Sequence, residues 1–133
     1  MRLSKTYKFC DCIIFMVNIV ILDTDFILAS LEFRVDIFSE LNRLLETNYE
    51  VCVVDKTIEE LKGKKNEKLA ASLLEKVKVL RSGAAKNADE AILKIADHET
   101  MVATQDKALK EKLKKRKIGV ITIRQKRYLV LED

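Results

Sequence analysis

Four short apolar runs, Ile19–Leu22, Val51–Val54, Met101–Ala103 and Val120–Ile123, are rich in β-branched residues and continuous rather than alternating. A strand with one face in water alternates polar and apolar side chains. A strand covered on both faces has no such alternation, and this is the pattern of a parallel sheet held between helices. The segments between the runs carry helical periodicity. Residues 34–46 place Val35, Phe38, Leu41 and Leu45 at three- and four-residue steps. Residues 67–77 place Leu69, Ala70, Leu73, Leu74 and Val77 inward, and residues 88–97 place Ala88, Ala91, Ile92, Ile95 and Ala96 inward. Residues 107–116 form a weaker, strongly basic helix with Ala108, Leu109 and Leu113 inward. Val77–Leu80 reads as a further short strand, and Arg127–Leu131 as a last strand after a turn around 124–126. Strands alternating with helices through right-handed crossovers predict a three-layer α/β/α sandwich with a central, mainly parallel sheet.

A chain of 133 residues with 48% hydrophobic and 35% charged residues is expected to be one globular domain with a sizeable core. No proline and three glycines leave no linker, so the domain is assigned to 18–133, with 1–17 as an extension or extra edge element. The apolar run 12–22 is too short to span a membrane as a helix and ends in Asp23-Thr24-Asp25 without a small-residue cleavage site. Met16 is an alternative natural start. No membrane association is expected. Cys10, Cys12 and Cys52 have no paired spacing and His98 is the one histidine, which argues against structural zinc and for a reduced, cytoplasmic setting.

In such a sheet every strand feeds its helix at the carboxyl edge, where ligands bind. Each crossing there brings an acid: Asp23 ends the first strand, Glu60 lies in the helix after Val51–Val54, Asp89 opens the helix near residue 88, and Asp106 follows Met101–Ala103. Taken singly, acids belong at helix N-termini. Thr57-x-x-Glu60 matches a capping box, Asp106 an N-cap, and Asp25, Asp89 and Glu90 would favour the positive end of a helix dipole. Taken jointly, carboxylates converging near the middle of a sheet repel one another unless a proton or cation intervenes. Oxygen donors without histidine or paired cysteine suit Mg²⁺ or Mn²⁺. Such ions bind phosphate and lower the pKa of water for attack on a phosphodiester.

The bases are also clustered. Lys107, Lys110, Lys112, Lys114, Lys115, Arg116 and Lys117 are opposed only by Glu111, and Arg124, Lys126 and Arg127 follow. A smaller group, Lys62, Lys64, Lys65 and Lys68, follows Glu60. The net charge is only +4, so placement matters more than amount. Basic clusters beside acidic chemistry point to a polyanion such as nucleic acid; a solvated helix face is the plainer reading.

These residues resemble a family. Ile21-Leu22-Asp23-Thr24-Asp25-Phe26 resembles the opening motif of PIN-domain nucleases, usually Asp-Thr-Asn or Asp-Thr-Ser. Thr57-Ile58-Glu59-Glu60-Leu61 resembles their second motif, Asn87 to Leu93 the third, and Val102 to Leu109 the fourth, usually Ala-Thr-Asn-Asp. The similarity spans about residues 19–131 and leans toward ribosomal RNA processing PIN proteins and short archaeal VapC-like proteins. It implies a metal-dependent endoribonuclease in which Asp23, Glu60, Asp89 and Asp106 are metal ligands and catalytic residues. Thr104 orients Asp23 or a water on the metal. Lys107, Lys110, Lys114, Lys115, Arg116 and Arg127 are expected to bind RNA. Asp25 replaces the usual Asn or Ser and adds a negative charge, as a candidate fifth ligand; Gln105 replaces Asn. The resemblance also admits a homodimer and a protein partner, an antitoxin or a ribosome-assembly protein. A non-catalytic RNA- or protein-binding module is the alternative. A phospho-acceptor receiver domain fits less well, since it wants adjacent acids at the first strand end and a Lys-Pro after the fifth strand.

Overall fold

The structure, a computed structural model, describes residues 19–46 and 48–132. The expected N-terminal extension lies outside the described residues. The element order is β1 (Ile19–Leu22), α1 (Thr24–Phe33), α2 (Ile37–Leu44), β2 (Glu50–Val54), α3 (Asp55–Leu61), α4 (Glu67–Leu74), β3 (Lys78–Leu80), α5 (Ala88–Ile95), β4 (Thr100–Ala103), α6 (Lys107–Lys115), β5 (Gly119–Arg124) and β6 (Tyr128–Glu132). The six strands form one sheet in the order β3-β2-β1-β4-β5-β6, parallel except for the antiparallel β5–β6 pair. The expected three-layer α/β/α architecture is what forms.

Pleating divides the strand residues between two cores. Val20, Leu22, Val51, Val53, Ala103 and Ile121 pack with Phe26, Ile27, Ile37 and Leu41 from α1 and α2 on one face. Ile21, Val102 and Val120 pack with Ala91, Ile92, Leu109 and Leu113 from α5 and α6 on the other. Each of those two leucines of α6 contributes about 1.5–3 kcal/mol by burial, which anchors a helix otherwise made of charge. The exposed edge of β6 is covered from α2. Glu40 accepts the Leu129 N–H at 2.9 Å and Arg43 donates to the Leu129 carbonyl at 2.8 Å, so backbone groups open to another strand are occupied.

Several local expectations change. The helix expected over 34–46 is shorter, since Asp36 caps it by accepting the Ser39 N–H. Leu69 is 55% exposed rather than inward, and Ala108 is exposed. The capping box at Thr57 does not form, because α3 already begins at Asp55 and Thr57 lies within it. Its hydroxyl is buried without a hydrogen-bond partner among the described residues. No helix among the described residues is long and apolar enough to cross a membrane.

Candidate active site

β1 lies between β2 and β4, so its carboxyl end is near the middle of the sheet. Asp23 follows directly and is 2% exposed. It occupies the N-cap position of α1 yet makes no side-chain capping bond. Its carboxylate instead accepts the Thr104 hydroxyl at 2.7 Å across the β1–β4 boundary. The same hydroxyl oxygen accepts the Asp106 N–H at 3.1 Å. Thr104, itself fully buried, therefore fixes Asp23 and the start of the Asp106 turn together.

Glu60 reaches the site by a different route from the one expected. One carboxylate oxygen accepts the Thr24 hydroxyl at 2.8 Å, and the other accepts the Ala88 N–H at 2.9 Å. Glu60 thus serves the N-terminus of α5 from another helix, while Asn87 caps the same end by accepting the Glu90 N–H. Asp106 behaves as a true N-cap, accepting from the Ala108 and Leu109 N–H groups at 2.9 and 3.2 Å. The threonine of the Asp23-Thr24-Asp25 motif has no role readable from sequence. Its position at the helix start is the available signal, but its partner lies 36 residues away.

The charges of these acids act on one another. Burial, set against the Thr104 hydrogen bond and aggravated by the charges of Asp89 and Asp25, pushes the Asp23 carboxyl up to about 6. Asp89 is also raised, by burial first, then by Asp106 and Glu60, by a side-chain hydrogen bond with Asp106, and by Asp25. None of the ion pairs among the described residues includes any of these acids. The donor set, oxygen-only and lacking a counter-charge, fits a hard divalent cation. Among the described residues, however, no three acid, histidine or cysteine side chains stand at chelating spacing. The hydrogen bonds explain the gap, since Glu60 and Asp106 are turned onto helix N-termini and would have to re-aim an oxygen.

Gln105, read from sequence as a mild loop departure, is a fastener. Its Oε1 accepts the Ile123 N–H at 2.7 Å and the Thr122 hydroxyl at 2.8 Å, and its Nε2 donates to the Ile123 carbonyl at 3.4 Å. The loop carrying Thr104 and Asp106 is thereby tied to β5.

The basic helix, α6, carries its bases from Lys107 to Lys115. It starts at the site edge and runs about 13 Å toward the opposite edge, carrying Lys114, Lys115 and Arg116 away from the acids. Lys110 and Lys114 pair with Glu132 at 3.1 and 2.7 Å. Arg116 donates to the Leu93 and Ala96 carbonyls, which closes the C-terminus of α5. Three of the six bases expected to bind RNA thus have partners within the protein. Lys107, at the first turn of α6, and Arg127 remain exposed at the site edge; Lys115 is exposed at the far end of α6.

The model of the PIN-like domain family matches residues 20–126. The chain is 38% identical over 123 residues to ribonuclease VapC4 of Methanocaldococcus jannaschii, covering 82% of this chain and 92% of that protein. Among solved structures, the PIN domain endonuclease Utp24 superposes with a TM-score of 0.74 at 24% identity, covering 88% of this chain and 92% of the other. VapBC2 from Rickettsia felis, bound to a DNA fragment from its promoter, superposes with a TM-score of 0.56 at 14% identity, covering 78% and 98%. Both likenesses concern the fold. The extent of the family match and the identity to the archaeal ribonuclease together establish that this chain belongs to the PIN-like domain family.

Proposed function

We propose that the chain is an endoribonuclease that hydrolyses RNA phosphodiester bonds with Mg²⁺ or Mn²⁺. The observation that carries this reading is Asp23, a nearly fully buried carboxylate at the end of the central strand, fixed by Thr104 and raised by burial and by neighbouring acids. A buried acid with this environment and no basic partner is destabilising by itself and is explained by a cation that offsets its charge.

Asp23, Asp89, Asp106 and Glu60 would hold the ion, with Asp25 at the rim as an additional negative charge. A bound divalent ion supplies a lowered pKa for water and stabilisation of charge on the phosphate. The chain's own residues do the positioning. Thr104 holds Asp23 in register with Asp106, Thr24 holds Glu60, and Glu60 in turn steadies the helix start that presents Asp89. Lys107 lies next to Asp106 at the site edge, where it can neutralise a phosphate.

The test is cleavage of a structured single-stranded RNA in Mn²⁺ by wild type and by Asp23→Asn. Loss of about 10²–10³-fold in the variant is expected, on the scale of removing one preorganised electrostatic group. Equal cleavage by the two proteins would remove Asp23 from the mechanism.

The likeness to ribonuclease VapC4 favours a toxin-type role with a small antitoxin as partner, and the fold of Utp24 an RNA-maturation role with a ribosome-assembly partner; both would use this one site in a cytoplasmic setting. A homodimer is compatible with either. One observation favours the second reading, a binding module without catalysis: Glu60 and Asp106 already serve helix ends. In that case wild type cuts no RNA at any metal concentration.

A further inference from the structure

Besides the basic helix, the tip of the β5–β6 hairpin concentrates exposed positive charge at the site edge. Arg124, Gln125, Lys126 and Arg127 are all exposed. Ile121 is the register partner of Ala103, the last residue of β4, so Arg124 stands three residues beyond it. Asp23 and Thr104 lie one residue beyond Leu22 and Ala103, so at about 3.3 Å per residue Arg124 rises roughly 7 Å above their level. Laterally it lies two strand positions from β1, about 10 Å away.

The turn is conformationally unusual. Gln125 and Lys126 have φ of 56° and 57°, both in the left-handed region. Tight turns with both central φ positive, as in this three-residue loop of 125–127, prefer Asn and Gly there, because a Cβ crowds the backbone. Glutamine followed by lysine at these positions is strained, and such strain persists where a side chain is needed for something else. Two features hold the turn in place. The Arg127 N–H donates to the Arg124 carbonyl at 3.1 Å. The Lys126 ammonium lies 5.3 Å over the ring of Phe33, at the end of α1. Gln105 then locks Ile123, just before the hairpin tip, to the loop that bears Thr104 and Asp106.

The contrast with α6 decides which bases are available. Lys110, Lys114 and Arg116 are taken up by Glu132 and by the carbonyls of α5. Among the described residues, Arg124, Lys126 and Arg127 make no ion pair with an acid.

We propose that the hairpin tip, through Arg124, Lys126 and Arg127, grips the RNA phosphodiester backbone beside the acidic site and sets where the strand lies over it. This deepens the nuclease reading by naming the element that holds its substrate. The turn keeps Lys126 where Asn-Gly would be more stable because the lysine, steadied on Phe33, contacts phosphate.

The experiment is fluorescence anisotropy of a labelled single-stranded RNA with the full chain in EDTA, so that neither cleavage nor metal enters. In Arg124→Gln/Lys126→Gln/Arg127→Gln, the Kd is expected to rise at least about tenfold near 0.1 M salt. The slope of log Kd against log salt should fall by about 2, at about 0.7 for each phosphate that is no longer neutralised. Lys112→Gln/Lys115→Gln, at the far end of α6, should lose less than about threefold because those charges lie away from the site edge. A second variant, Gln125→Asn/Lys126→Gly, should melt at a higher temperature than wild type while binding RNA more weakly. A fold defect lowers both, so the opposite signs identify a functional turn.

Wild-type affinity and salt slope in the triple variant would overturn the inference, and so would an equal loss in the α6 pair. Either result, combined with Mn²⁺-dependent cleavage by wild type, leaves the nuclease reading standing. Weakened binding by the hairpin variants with no cleavage by wild type supports the hairpin and sinks the nuclease reading.

Discussion

At the carboxyl edge of the sheet, Asp23 and Asp89 face other acids without a basic partner, and both carboxyls are raised. On the α6–β6 side, Glu132 lies between Lys114 and Lys110, whose hydrogen bonds and charge hold its carboxyl below the ordinary range despite partial burial. The same side-chain chemistry does opposite things in the two places. Around Glu132 the charges are paired, and the pairing contributes to holding the last strand against α6. Around Asp23 they are left uncompensated, so the folded chain carries a cost that a ligand can relieve. The basic helix, the feature most suggestive of RNA from sequence, gives Lys110, Lys114 and its cap Arg116 partners within the protein. The acids, readable singly as caps, are where the proposed chemistry lies.

The largest effects should come from supplying or removing charge at the acidic edge. At a Mn²⁺ concentration 100-fold above its Kd, wild type should gain about 2.7 kcal/mol of stability in a thermal melt, by mass action. Asp23→Asn should show little of that gain. In EDTA the order reverses. The Asp23 carboxyl sits at about 6 when folded against an ordinary 3.8, so the folded chain holds the extra proton between those values. Its relative stabilisation is complete below about pH 4 and is lost as pH rises through about 6. At pH 8 without metal, Asp23→Asn should therefore be more stable than wild type by about 3 kcal/mol, the difference vanishing toward pH 4. A metal-free variant no more stable than wild type at pH 8 would show that Asp23 is comfortably solvated or paired.

Next in size is the support of the site. Thr104→Val removes the hydroxyl that joins Asp23 to Asp106 and leaves the Asp106 N–H without its partner. Changes of this kind, one step behind a residue proposed to hold the metal, are expected to weaken metal affinity about tenfold or more. The Mn²⁺ concentration for half-maximal cleavage should rise by that factor, with a smaller effect on the rate at saturation. A rate defect that saturating Mn²⁺ does not recover, with unchanged half-maximal Mn²⁺, would assign Thr104 a different job.

The smallest effect belongs to the paired region. Glu132→Gln should cost about 1 kcal/mol at pH 7, within the range of partly exposed ion pairs acting as a small network. Glu132 is depressed when folded, so its contribution is present above the ordinary value of 4.5 and is lost as pH falls through the lower folded value. Urea midpoints of wild type and variant should converge once the pH is below that lowered folded value. A difference that persists there would mean packing, not charge, is what the variant lost.

Much of the fold is legible in the sequence because it rests on local pattern. Continuous runs such as Ile19–Leu22 and Val120–Ile123 announce strands covered on both faces, and the spacing of Ala88, Ala91 and Ile92 announces the buried side of α5. The order of strands and helices then puts Asp23, Glu60, Asp89 and Asp106 at one edge without any knowledge of contacts. Asp36 as the start of α2 is harder to see, because the apolar spacing of Val35 and Phe38 carries the helix reading past the cap.

Hydrogen-bond partners are not legible, because they join distant parts of the chain. Glu60 matches a capping box with Thr57 three residues away, yet it bonds to Thr24 and Ala88, 36 and 28 residues away. Lys110 and Lys114 look free on a helix wheel until β6 brings Glu132 beside them. Thr104 and Asp23 meet across 81 residues. Periodicity and residue order report which face of an element is apolar and which edge an acid approaches. The partner that a particular oxygen or ammonium takes depends on strand order, register and the height of one element above another, and those are set only when the layers pack.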